Sequence, residues 1–126
     1  MLKVYVDGGC RGNGSENAEA YGSFIVEKDG EIYTHQCFEY GHGTSNEAEY
    51  RILLDALLYL RKVLHTEKAE IYTDSALVYG QATQNWKVNA PNLIKLHMFV
   101  TDILRGHNLY KLIKVNREIL VDKLGH

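Results

Sequence analysis

Residues 44–75, TSNEAEYRILLDALLYLRKVLHTEKAEIYTDS, decide the fold of this 126-residue chain. Ile52, Leu53, Ala56, Leu57, Leu60 and Leu64 recur at helical spacing behind the capping residues Thr44 and Ser45, so an amphipathic helix is predicted over residues 45–64. AEIYT, residues 69–73, is a short apolar run that reads as a strand. Ser75, directly after Asp74, is a good N-cap for a further short helix.

Working outward toward the N-terminus, MLKVYVDGGCRGNG alternates apolar residues up to Val6, which predicts a strand over residues 2–7 and a glycine-rich turn beginning at Asp7. Residues 21–28 and 31–38 read as two more strands, joined by Asp29-Gly30, a strong two-residue hairpin signal. On the other side, a helix is expected from Pro91, where proline can open one, to about Arg105, then a strand over residues 110–115 and a final helical turn or two. The order is βββαβααβα. A meander followed by strand, helix, strand implies right-handed crossovers, so the expectation is an α/β fold with a five-stranded mixed sheet, an antiparallel meander plus parallel strands, and helices on both faces. At this length the whole of residues 1–126 is expected to form one domain around one core.

Composition narrows the function classes. Hydrophobic residues at 45% and charged residues at 24% suit an ordinary globular domain, and no apolar run approaches a membrane span. The first residues read straight into a strand rather than a signal peptide, so a cytoplasmic protein is expected. Cys10 and Cys37 form no CxxC pair, and His35, His42, His65, His97, His107 and His126 are scattered, which argues against a zinc site or a disulfide framework. The net charge of −2 predicts a weak grip on any polyanion. Basic residues are sparse at the start, where only Lys3, Arg11 and Lys28 occur in the first 50 positions, and denser near Lys111, Lys114 and Arg117.

Four carboxylates, Asp7, Glu49, Asp74 and Asp122, fall at the edges of predicted elements among small polar residues. Hard divalent cations take oxygen ligands, and acids from separate elements can converge on them, so this pattern suggests a two-metal site. The ordered stretches YVDGGCRGNG, TSNEAEY, IYTDSALV, WKVNAPNL and VNREILVDKL resemble the motifs of the type 1 ribonuclease H family over nearly the whole chain. The resemblance implies the ribonuclease H-like fold and a monomeric endonuclease that hydrolyses the RNA strand of RNA/DNA hybrids with two Mg²⁺ ions, Mn²⁺ being a substitute. By the same resemblance Asp7 and Asp74 contact metal directly, Glu49 serves the leaving-group side and Asp122 the side of the attacking water. The AEY triplet selects Glu49 over Glu47, which reads instead as an N-terminal helix acid that complements the macrodipole.

The resemblance also implies substrate contacts. Cys10, Gly12, Asn13 and Asn46 would meet the RNA strand, where the 2′-hydroxyl distinguishes RNA from DNA. Thr44, with Asn85 as its partner, would take a DNA phosphate, and Trp86 would stack on a deoxyribose. Arg117 looks like the position that in some members replaces a loop histidine assisting product or metal release. Three departures stand out: Arg117 and Asp122 are only five apart, Ala76 stands where the family often has glutamine, and NWKVNAPNL runs directly into the next helix without the basic protrusion. Two rival readings are a non-catalytic module of the same fold, expected if the acids fail to converge, and another nuclease of the superfamily.

Overall fold

Leu2–Arg11 form β1, the middle strand of a five-stranded sheet in the computed structural model, which describes residues 1–12, 15–106 and 108–125. Its alternation serves two cores at once. Leu2, Val4 and Val6 are fully buried on one face, while Tyr5 is buried on the other. β2 (Glu19–Lys28) pairs antiparallel with β1, and β3 (Glu31–His42) antiparallel with β2. Asp29 and Gly30 between them have φ of 54° and 80°, the left-handed pair that a two-residue hairpin turn requires. β4 (Ala69–Thr73) runs parallel to β1, and β5 (Tyr110–Lys114) parallel to β4, giving the order β3-β2-β1-β4-β5.

Helix α1 (Ser45–Val63) buries Ile52, Leu53, Ala56, Leu57 and Leu60 completely against the face that carries Val4, Val6, Phe24 and Ile71. Each such side chain contributes about 1.5–3 kcal/mol on burial, so this stripe is what docks the helix. α2 (Ala76–Thr83) adds Val78 and Ala82 to the same core, and α3 (Pro91–Arg105) adds Leu93, Val100 and Ile103. The opposite face is covered by the short α4 (Arg117–Leu124), whose Leu120 and Leu124 pack on Tyr5 and Ile25. The mixed sheet with helices on both faces is therefore as expected. Among the described residues no helix is long and apolar enough to cross a membrane.

One element departs from the sequence reading in a way that matters for function. β1 does not end at Asp7 but continues to Arg11, because Gly8, Gly9, Cys10 and Arg11 keep pairing with Gly22, Tyr21, Ala20 and Glu19 of β2. A glycine run looks like a turn when read alone; here β2 holds it extended. Asp7 thus sits inside a paired strand, not at the start of a turn. β3 likewise runs on to His42 rather than stopping at residue 38, since its partners on β2 extend to Glu19.

Candidate active site

The parallel pairing of β1 with β4 ends at Tyr5 and Tyr72, whose rings stack with centroids 5.1 Å apart. Two residues further along each chain, where the strands have parted, come Asp7 and Asp74. Ser75 follows as the cap of α2, its hydroxyl accepting from the Val78 amide at 3.1 Å, and its own amide donates to Thr73 Oγ1 at 3.1 Å. That local network sets the backbone on both sides of Asp74.

Glu49 reaches the same place from α1. A β-carbon at Gly8 would lie 2.6 Å from the carbonyl carbon of Ala48 and 2.7 Å from the amide nitrogen of Glu49. Only a glycine lets α1 approach β1 this closely. A capping box sets the start of the helix: Thr44 Oγ1 accepts from the Glu47 amide at 3.1 Å, and Glu47 Oε1 accepts from the Thr44 amide at 3.2 Å. Glu47 Oε1 also accepts from Asn92 Nδ2 at 2.8 Å, so this acid ties α1 to the start of α3.

One carboxylate oxygen each from Asp7, Glu49 and Asp74 lies within 4.8 Å of the other two. Burial pushes the Glu49 carboxyl well above its ordinary range; the charges of Asp7 and Asp74 push the same way, and a hydrogen bond from the Gly8 amide opposes them. Glu49 Oε2 is buried with no hydrogen-bond partner. An all-oxygen donor set with surplus negative charge and a buried, unpartnered acid oxygen fits a hard divalent cation well. A cavity of about 460 Å³ opens over these acids, lined also by Gly8, Gly9, Cys10, Tyr21, Ser45 and Arg117.

Asp122 lies apart from this group. It is exposed on α4 and lines a separate hollow of about 250 Å³ with Arg117, Glu118 and Val121. Arg117 borders both hollows. Of the other sequence candidates, Cys10 is half-buried and its thiol donates to the Gly43 carbonyl at 3.2 Å, tying the end of β1 to the approach of α1. Gly12 adopts φ of 67°, and its carbonyl accepts from Ser15 Oγ at 2.6 Å. Asn13 lies outside the described residues. Asn46 is exposed in the first turn of α1. Thr44 and Asn85 have different partners: the hydroxyl of Thr44 caps α1, and Asn85, at φ of 60°, accepts from Arg105 Nη2 at 3.3 Å. Trp86 is half-exposed, its ring laid against Gly80, where a β-carbon would strike it.

Sequence reasoning missed Tyr21, Gly9 and Ser45 as walls of the cavity. A signal for the first existed in the pairing of Tyr21 with Gly9, where a β-carbon would lie 2.5 Å from the tyrosine hydroxyl; seeing it required knowing that the glycine run is a strand.

A family model for RNase H matches residues 1–118. Ribonuclease HI of Halobacterium salinarum (strain ATCC 700922 / JCM 11081 / NRC-1) is 32% identical over 116 residues, which are 92% of this chain and 57% of that protein. The chain therefore spans little more than half of that relative's length. The crystal structure of RNase H1 from Halobacterium salinarum NRC-1 superposes with a TM-score of 0.84 at 28% identity, covering 98% of this chain and 92% of that one. The structure of LC11-RNase H1 in complex with RNA/DNA hybrid gives a TM-score of 0.83 over 98% of this chain and 93% of that one, at 24% identity, a likeness of fold.

Proposed function

Because the chain belongs to the type 1 ribonuclease H family, a metal-dependent family, we propose that it is an endonuclease that hydrolyses the RNA strand of RNA/DNA hybrids. The observation that carries this reading is the meeting of Asp7, Glu49 and Asp74 within 4.8 Å, with Glu49 Oε2 buried and unpartnered. It speaks against a non-catalytic module, which has no reason to bear the electrostatic cost of three gathered carboxylates. The reading takes two Mg²⁺ ions as cofactor, with Mn²⁺ as substitute. When bound, such ions supply an activated water and neutralise charge on the attacking and leaving oxygens.

The chain's own residues do the positioning. Asp7 and Asp74 are fixed by paired strand and capped helix, so they present oxygens from a rigid floor. Glu49, held by the Gly8 contact, is assigned to the leaving-group side. Asp122 is assigned to the side of the attacking water, with Arg117 beside it assisting release. Cys10, Gly12, Asn13 and Asn46 are assigned to the RNA strand, and Thr44, Asn85 and Trp86 to the DNA strand; the half-exposed ring of Trp86 on Gly80 supports a stacking surface. α3 starts at Pro91 directly after the segment that follows α2, leaving no room for a basic protrusion. Binding should accordingly be weak and fall steeply with salt. We further read the protein as a monomer working in the cytoplasm, a reading that suits its two free thiols, Cys10 and Cys37.

The test is a cleavage assay on end-labelled RNA/DNA hybrid, RNA duplex and DNA duplex, with Mg²⁺, Mn²⁺ or chelator. Cutting confined to the RNA strand of the hybrid, and lost in chelator, is expected. Equal cutting of duplex DNA, or full activity in excess chelator, overturns the reading.

A further inference from the structure

Next to the acidic cavity lies a second hollow of about 430 Å³, lined by Arg11, Tyr21, Gly22, Ser23, Phe38 and their neighbours on β3. Tyr21 belongs to the walls of both, so the two form one trough that leaves the carboxylates across the ends of β1, β2 and β3. The chemistry changes along it from all-acid to aromatic and cationic. Arg11 lies over the Tyr21 ring, its guanidinium carbon 4.4 Å from the ring centroid, which holds the cation in a defined plane.

Arg11 is also paired with Glu39, but in a loose way. One terminal nitrogen, Nη1, donates to both carboxylate oxygens, at 3.1 and 3.2 Å. The two-nitrogen edge that suits a phosphate is thus not the edge that Glu39 engages. The side chains are 58% and 69% exposed, so the pair is a surface salt bridge of small net worth that a stronger anion can displace.

Resting on the ribonuclease H reading, we propose that this trough is a second binding place for the cut strand: Arg11, braced on Tyr21, takes a backbone phosphate away from the scissile one, and Glu39 competes with that phosphate for the guanidinium. Glu39 is then a built-in brake on affinity. Its position on β3, opposite Tyr21 in the β2–β3 register, keeps it within reach of Arg11 at the end of β1. The arrangement compensates in part for the absent basic protrusion with one placed cation, and it makes substrate affinity depend on an ion pair remote from the metal site.

The experiment measures steady-state cleavage by wild type, Arg11→Ala and Glu39→Gln on hybrids whose RNA strand is shortened one nucleotide at a time from each end. Arg11→Ala should raise KM about tenfold and reduce the slope of log affinity against log salt by ~1. Glu39→Gln should lower KM about two- to threefold, by freeing the guanidinium. For wild type, KM should step upward at the length that removes the bound phosphate, and the step should vanish in Arg11→Ala. If wild type cuts hybrid while Arg11→Ala keeps its KM, salt slope and length profile, the subsite is overturned and the ribonuclease reading stands. A rise in KM for Glu39→Gln overturns the competition. Failure of wild type to cut any hybrid overturns both readings together.

Discussion

Two acidic regions of this molecule are built in opposite ways. Asp7, Glu49 and Asp74 stand on three elements that meet through the main core: a central strand paired on both sides below the site, a helix with five fully buried residues, and a strand end locked by a capped helix. Asp122 stands on an eight-residue helix with no side-chain N-cap, attached to the sheet through Leu120 and Leu124 and through Lys123, whose ammonium lies 3.0 Å from Glu27 Oε2 and 5.2 Å from the centre of the Tyr5 ring. The triad is held whether or not anything is bound, and its cost is electrostatic. The fourth acid costs almost nothing to keep, but its position depends on a few surface contacts. Rigidity is spent where like charges must be forced together, and left out where one acid need only approach.

The sharpest way to break that contrast is to remove one charge from each region. Asp74→Asn should reduce cleavage of hybrid to background with the fold intact, since the amide keeps the volume and loses the anionic ligand. Asp122→Asn should leave measurable kcat. Equal loss in the two variants would mean that α4 closes onto the triad when substrate binds, and the separation seen here would not describe the working state.

The contact that creates the triad can be attacked without touching an acid. In Gly8→Val the new β-carbon would sit 2.6 Å from backbone of Ala48, and backbone cannot rotate aside as a side chain can. A loss of stability of ~3 kcal/mol is expected, at the upper end for overpacking, with cleavage falling alongside as Glu49 is levered away. Chemical denaturation of the metal-free protein measures the first, and the hybrid assay the second. Unchanged stability would show that α1 has more freedom over β1 than the geometry allows.

The electrostatic cost of the triad has a definite pH signature. Burial, then the charges of Asp7 and Asp74, raise the folded-state Glu49 carboxyl well above its ordinary value of 4.5, so across the interval between that value and the raised one the folded chain binds more protons than the unfolded chain. Stability in chelator should therefore decline as pH rises through that interval. Below it the neutral acid incurs no charge penalty; above it the full penalty is present. Excess Mg²⁺ should reverse the trend, because it favours the ionised cluster, and Asp74→Asn should flatten the decline. Thermal midpoints from about pH 4.5 to about pH 8, with and without the cation, decide it. A decline of equal size in Asp74→Asn would place the charge penalty elsewhere.

Much of this was legible in the sequence, for reasons that differ between the two regions. The helix over residues 45–63 and its strand neighbours could be read because Ile52, Leu53, Ala56, Leu57 and Leu60 repeat at 3.6-residue spacing. The meeting of Asp7, Glu49 and Asp74 could be read because each follows a strong local signal: an apolar strand, a capping box, a strand end before a serine cap. The continuation of β1 through Gly8, Gly9, Cys10 and Arg11 could not, since glycines carry no pattern and the extended form comes from pairing with β2. The Arg11–Tyr21–Glu39 arrangement was hidden for the same reason, because three strands must be in register before those side chains are neighbours. The standing of Asp122 apart from the triad was also illegible: a spacing of five from Arg117 says nothing about which face of the sheet the terminal helix covers.

The smallest expected effect tests whether that helix is held well enough to matter. Lys123 spans from α4 to β2 through Glu27 and lies over Tyr5 of β1, so it fixes the rotation of α4 about the axis that Leu120 and Leu124 define. Lys123→Met keeps the apolar stem on the tyrosine and removes the charge. With the lysine side chain 40% exposed, stability should fall by no more than about 0.5 kcal/mol. Asp122 is the next residue on the same short helix, and a freed rotation should displace it by a fraction of an ångström. A drop in kcat of about two- to tenfold at constant KM is expected, well short of the roughly hundredfold that a 1 Å misplacement brings. Glu27→Gln should reproduce it, because the same bridge is cut from the other end. If both variants keep wild-type kcat, the two leucines alone orient α4, and the looseness of the fourth acid belongs to its exposed side chain and not to the helix that carries it.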